Sequence, residues 1–159
     1  MHVARQLYFA FVYSKISYGL EIMTNCSAKN INKVQILQNK LIKLILKLDR
    51  LTPTNYVHQK LKILKVVDIQ VLKLICLVSK CLLGKCPPCF SNYFTWRTHI
   101  YNLREVPLLV MRSRTVLGAT NTRIYAAKIY NSLPEKVKIL RHQNNFKKIV
   151  AGYLREQYV

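Results

Sequence analysis

A chain of 159 residues that is 51% hydrophobic has material for one ordinary domain or two small ones sharing a core, and its 4 glycines and 5 prolines exclude a collagen-like or linker-dominated chain. With 26 Lys and Arg against 6 Asp and Glu, the net charge of +20 repels itself in the compact state and draws the chain to polyanions. The first inference is a polyanionic partner, an RNA or DNA backbone or an anionic membrane surface, rather than a small-molecule substrate, and no uncharged apolar segment approaches the roughly 18–20 residues that cross a bilayer, since Lys73 and Lys80 bracket the greasiest stretch.

In chain order, Val3, Leu7, Tyr8, Phe11 and Val12 recur at helical spacing, and a second short helical piece covers 16–23. Arg5 precedes only a short apolar run with no small-residue cleavage site, so no signal peptide is read there. The organising helix runs from Lys33 to Leu48, with Ser27 as its expected N-cap. Val34, Leu37, Leu41, Leu44 and Leu48 step by three and four residues, which predicts one buried face. Lys29, Lys33, Lys40, Lys43 and Lys47 form a second stripe without acidic partners, which points to phosphate contact rather than a merely solvated face. Pro53 breaks the chain, Thr54 is the expected cap of a short helix to Leu61, and Asp68 the expected cap of a longer one reaching Leu83. Gly84 stands where helices end in the left-handed conformation. Val71, Leu72, Leu74, Ile75, Leu77, Val78 and Leu82 make that helix apolar nearly all round, so it should be the most buried element.

The character changes at Cys86-Pro-Pro-Cys89, which sets a boundary near residue 86. Tyr101, Leu103, Val106, Leu108 and Val110 alternate loosely, suggesting one or two short strands around Pro107. Helical spacing returns from Thr122 to Leu133, stops at Pro134, and resumes in a final helix carrying Phe146, Ile149, Val150, Tyr153 and Leu154. Arg97, Arg104, Arg112, Arg114 and Arg123 form a second basic group suited either to phosphate pairing or to bracing backbone carbonyls.

Five cysteines, an odd number, fit a reducing compartment, nuclear or cytoplasmic. Cys81, Cys86, Cys89 and His99 invite comparison with a zinc site, but their irregular spacing reads better as buried thiols beside a proline turn, so no metal ligand is assigned. Phe90, Tyr93, Phe94 and Trp96 are expected to cover one end of the core rather than stack on bases. The carboxylates Glu21, Asp49, Asp68, Glu105, Glu135 and Glu156 are too scattered to suggest a two-metal site, no histidine has a nucleophile motif around it, and no Gly-rich phosphate loop appears. No catalytic residue is assigned.

Several blocks carry a family resemblance. Leu7 to Ile22, with Tyr18-Gly19-Leu-Glu21, resembles the segment just after the palm in reverse transcriptases of non-LTR, LINE-type, jockey-like retrotransposons. Leu37-Gln38-Asn39-Lys40 is similar to the next helix of that family, His99-Ile-Tyr101-Asn102-Leu-Arg104 and Arg114-Thr115-Val-Leu-Gly118 to its next two blocks. Tyr130-Asn131-Ser132-Leu133-Pro134, then Phe146-Lys147-Lys148, resembles its ending, with Tyr130 and Met23 where the family usually has tryptophan and Ala126 where glycine is common. The resemblance implies a thumb and the region downstream of it, without the palm whose paired aspartates hold magnesium, hence a non-catalytic piece with no cofactor of its own.

The expected architecture is therefore mainly α: a thumb-like helical bundle over 1–85, then a basic module over 86–159 with one or two short strands and two further helices. Lys29, Lys33, Lys40, Lys43, Lys47, Arg104, Arg112, Arg114 and Arg123 are the expected nucleic-acid contacts. Two alternatives stand beside this reading: an unrelated basic helical nucleic-acid-binding module, and a protein lying on anionic membranes through a basic amphipathic helix, which ranks lower.

Overall fold

The computed structural model describes residues 2–97 and 107–158, and these form a mainly α-helical structure. α1 (His2–Leu7) continues through a π-helical stretch (Tyr8–Tyr13) into α2 (Ser14–Ser17), after which Gly19, at φ +66°, turns the chain. A short 3-10 turn (Met23–Asn25) leads into α3 (Ala28–Ile45). Ser27 is the N-cap residue of α3, but its hydroxyl makes no capping hydrogen bond; its carbonyl accepts the first backbone bonds of the helix, from Asn30 at 2.9 Å and Ile31 at 3.2 Å.

α4 (Thr54–Leu61) is preceded by Pro53 as its cap residue, in place of Thr54, because a proline with ψ 130° already sets the entry to the first turn. α5 (Val66–Leu82) starts earlier than expected, with Lys65 as its N-cap residue. Asp68 is thus inside the first turn, where the Tyr158 hydroxyl donates to its carboxylate. Gly84 does adopt the left-handed conformation, φ +66°, and lets the amide of Lys85 reach back to the Lys80 carbonyl at 2.9 Å.

α5 is the central element: Ile69, Leu74, Ile75 and Val78 are fully buried, and α2, α3, α7 (Thr122–Asn131) and α9 (Phe146–Glu156) all pack on it. One apolar cluster runs from Leu20 through Leu74 and Val78 to Tyr130, Val150 and Leu154, so helices before and after residue 86 share it. A smaller cluster, Tyr8, Ile42, Val57, Leu61 and Ile63, joins the N-terminal helix to α3 and α4. Phe94 lies in the larger cluster with Phe90 and Tyr93 packed against it, the expected cover of one end of the core. Trp96 departs from that role: it is 41% exposed and carries the Arg141 guanidinium 5.4 Å above its ring.

Where one or two short strands were expected, the described residues hold an isolated antiparallel bridge, Trp96 with Leu108, while 98–106 lies outside the described residues. The physical reason lies 23 positions along the chain. The Asn131 side chain accepts from the Leu108 amide at 2.8 Å and donates to its carbonyl at 3.0 Å, so a side-chain amide satisfies the groups that a neighbouring strand would.

α6 (Val116–Ala119) begins with a tight cap in which Thr115 Oγ1 accepts from the Gly118 amide at 3.0 Å. A Cβ at Gly118 would come within 3.1 Å of Ser113 and Thr115 side-chain atoms, which would have to give by a few tenths of an ångström. α8 (Glu135–Ile139) follows Pro134, and α9 closes the chain with Phe146, Val150 and Leu154 on the core. Among the described residues, no helix is long and apolar enough to cross a membrane.

Candidate nucleic-acid interface

The face that α3 buries is decided by polar residues. Gln38, fully buried, donates through Nε2 to the Tyr8 hydroxyl at 2.6 Å and to the Leu64 carbonyl at 2.9 Å. Its Oε1 accepts from Gln35 at 2.8 Å, and Gln35 Oε1 in turn accepts from the Val66 amide at 2.7 Å, holding the start of α5. Gln35 also donates to Asn39 Oδ1 at 2.8 Å, which faces His58 Nε2 at 2.9 Å. Gln35, Gln38 and Asn39 are spaced three and four residues apart, so they share one helix face. That amide row, with Ile42 fully buried beside it, is the face pressed on α4 and α5.

The expected buried stripe of Val34, Leu37, Leu41, Leu44 and Leu48 is therefore corrected. Leu41 is 43% exposed and Leu44 74% exposed, Val34 and Leu37 are exposed as well, and Leu48 alone is half-buried. At about 100° per residue the helix is turned by roughly a third of a revolution from the orientation that its leucines suggest. Three satisfied amides hold it so, since an unpaired buried amide or carbonyl costs more than an exposed leucine.

The turn carries the lysines outward. Lys29, Lys33, Lys40 and Lys47 are exposed, and α3 contains no acidic residue to neutralise them. Lys43 is half-buried and donates to the Arg50 carbonyl at 2.7 Å, closing the helix end. Lys47 holds the left-handed conformation, φ 52°, that commonly falls to glycine at such an end. Lys40, Lys43, Lys47 and Arg50 border an open groove of ≈ 740 Å³ that Ile36 and Leu44 also line. The exposed surface of α3 is thus a row of ammonium groups beside a row of leucines.

Of the second basic group, Arg112, Arg114 and Arg123 lie on other parts of the chain. Arg112 and Arg114 are exposed on the segment leading into α6, while α3 packs on α4 and α5. Arg123 on α7 lies 5.4 Å over the Tyr93 ring and donates to the Asn92 carbonyl at 3.3 Å, the bracing role. Arg104 and His99 lie outside the described residues. Cys81 and Cys86 bring their sulfurs within 3.0 Å, all five thiols are free, and the described residues hold no cluster of three or more His, Cys, Asp or Glu suited to a metal ion.

Burial sets the titration of the polar row. The Tyr8 hydroxyl is pushed up to about 12, mainly by desolvation, with the Gln38 hydrogen bond opposing. His58 is held below its ordinary 6.5 by burial; the Ile63 carbonyl pulls the other way and the Lys65 charge adds to the lowering. The unfolded chain thus takes up a proton near pH 6.5 that the folded chain resists, so stability is full above that pH and declines as pH falls below it, by at most about 1.4 kcal/mol per pH unit. Asp68 acts in the opposite sense, since desolvation, opposed by the Tyr158 hydrogen bond and Lys65, raises its pKa: its contribution is present at low pH and is lost as pH rises through the raised value. Urea midpoints measured in the Asp68→Asn background isolate His58; they should fall between pH 7 and 5.5, and His58→Gln in that background should remove the slope.

Sequence reasoning missed this amide row, although three amides at helical spacing in 35–39 were a legible sign of a polar buried face. No protein-family model matches the chain, and comparison with curated proteins and with solved structures likewise finds no match.

Proposed function

We propose that the chain is the thumb and downstream region of a non-LTR retrotransposon reverse transcriptase, and that α3 holds the phosphate backbone of an RNA or DNA duplex without reading its sequence. The observation that carries the reading is the exposed row Lys29, Lys33 and Lys40 on a helix with no carboxylate, with Lys47 exposed just past its end. Ammonium groups make point-charge contacts to phosphates and release condensed counterions. The residues that carry the family resemblance also perform folding tasks in this chain: Gln38 and Asn39 in the buried amide row, Thr115 and Gly118 in the α6 cap, Asn131 on the Leu108 backbone.

The test is the salt dependence of duplex binding. Lys33→Gln/Lys40→Gln/Lys47→Gln removes exposed ammonium groups while leaving the buried face intact, and should flatten the slope of log affinity against log salt by about two to three units on a duplex, similarly for unrelated sequences. An unchanged slope would return the row to a solvated face. The exposed leucines favour one rival, an anionic membrane surface, because Leu37, Leu41 and Leu44 offer apolar area that a phosphate backbone does not use. Vesicles of matched charge, run against an RNA–DNA hybrid at physiological salt, separate the two: preference for vesicles supports the rival.

The same reading expects no polymerase activity from this chain. Glu21 pairs with Lys73 and Glu135 with Lys138, both at 2.8 Å, and Asp68 accepts from Tyr158, so these carboxylates serve the fold. Magnesium would belong to the palm of the parent enzyme, whose paired aspartates this sequence lacks. Primer extension on an RNA template with magnesium or manganese should stay at the no-protein level, and incorporation that survives purification would overturn the assignment.

A further inference from the structure

A second basic surface, which none of the α3 lysines joins, lies between α5 and the start of α9. It is a cleft of ≈ 390 Å³ bordered by Lys73, Lys80 and Lys85 on one side and by Arg141 and Lys147 on the other. Glu21 is the one carboxylate among the described residues that line it, and it is already engaged, at 2.8 Å, with Lys73. That leaves four cations without a carboxylate partner around a single depression. Two of the four act together on the Cys76 thiol on its wall: burial pushes this thiol up, while the charges of Lys147 on α9 and Lys80 on α5, with that of the Glu21-paired Lys73, pull it down. α9 starts at the same place with no side-chain cap and no acidic residue in its first turn, which leaves the positive end of its peptide dipole uncompensated.

We propose that this cleft binds a compact polyphosphate, a small ligand carrying three or more phosphoryl charges in one cluster, with Lys80, Lys85, Arg141 and Lys147 as its cations. Clustered charge is what the arrangement fits. A nucleic-acid strand spreads its phosphates along an extended track, whereas these cations sit around one depression that the buried Leu72 and Phe146 also line. A carboxylate peptide would bring fewer charges into the same volume. The inference does not rest on the role proposed for α3.

Two ligands share this chemistry from different sources, inorganic tripolyphosphate and inositol hexakisphosphate, and calorimetric titration of the full chain with each at physiological salt shows which one it prefers. Either should bind with one-to-one stoichiometry. The sole tryptophan, Trp96, reports on the cleft, because a ligand that draws on Arg141 disturbs the guanidinium 5.4 Å above the indole and changes its fluorescence. Lys80→Gln/Lys147→Gln, at two exposed positions, should weaken binding about tenfold or more. The α3 triple variant should bind within about twofold of the wild type, which separates this site from the duplex surface and makes failure of the one distinguishable from failure of the other. The inference is overturned by absence of binding at millimolar ligand, by equal affinity in the cleft variant, or by equal loss in the α3 variant. A duplex that displaces tripolyphosphate from the α3 variant at matched phosphate concentration would assign the cleft to nucleic-acid backbone and overturn it too.

Discussion

Leu74→Ala should lower the stability of the chain by about 2–5 kcal/mol, while Leu41→Ala should change it by less than about 0.5 kcal/mol. The two leucines look alike in sequence, each in an apolar helical run. Leu74 is fully buried on α5, inside the cluster that also holds Tyr130 and Val150, and its truncation leaves a cavity that packed helices cannot collapse to fill. Leu41 is 43% exposed on the outer surface of α3, so its truncation exchanges one solvated side chain for another. Urea midpoints of the two variants at neutral pH check the pair. A wild-type midpoint for Leu74→Ala, or a large loss for Leu41→Ala, would mean that the faces of these helices are misplaced.

Gln38→Leu should cost about 2–4 kcal/mol, although it puts a more apolar side chain of similar size into a fully buried position. The glutamine uses its whole amide: two donated bonds, to Tyr8 and Leu64, and one accepted from Gln35. Leucine leaves the Leu64 carbonyl without that donor and leaves Gln35 with one acceptor fewer, in a region that water does not reach. A neutral or stabilised Gln38→Leu would show that the amide row does not orient α3. The consequence also extends to the surface. If the row sets the rotation of the helix, Gln38→Leu removes what keeps Leu37, Leu41 and Leu44 outside, and the variant should bind duplex less tightly even under conditions where it remains folded.

These two expectations mark where sequence and tertiary structure part company. Local signals in the chain determine the elements. The periodic apolar residues of 66–82 place α5 and make it the core helix, Gly84 ends it in the left-handed conformation, and Pro134 stops α7 just beyond Asn131. Each depends on neighbours a few residues away: a repeat of 3.6, a missing Cβ, a missing amide. The lysine row of α3 was legible for the same reason, since the outward position of Lys29, Lys33 and Lys40 comes from their helical spacing once another face is buried, whereas Lys47 stands past the end of the helix.

Which face α3 buries was not a local matter. Leucine periodicity pointed one way and the Gln35, Gln38 and Asn39 row another, and the choice rests on partners 19 to 31 positions away: the Tyr8 hydroxyl, the Leu64 carbonyl, the Val66 amide and His58. The same holds for the segment around Leu108, whose alternation suggested a strand until Asn131, 23 positions on, supplied the hydrogen bonds. The cleft between α5 and α9 combines cations of 73–85 with cations of 141–147, brought together because both helices bury their apolar sides in one core. Periodicity ranks faces by hydrophobicity, which is proportional to area and indifferent to direction. Hydrogen bonds are directional and costly to leave unmade when buried, so where an amide row and a leucine row compete, the answer lies in what the rest of the chain presents to them.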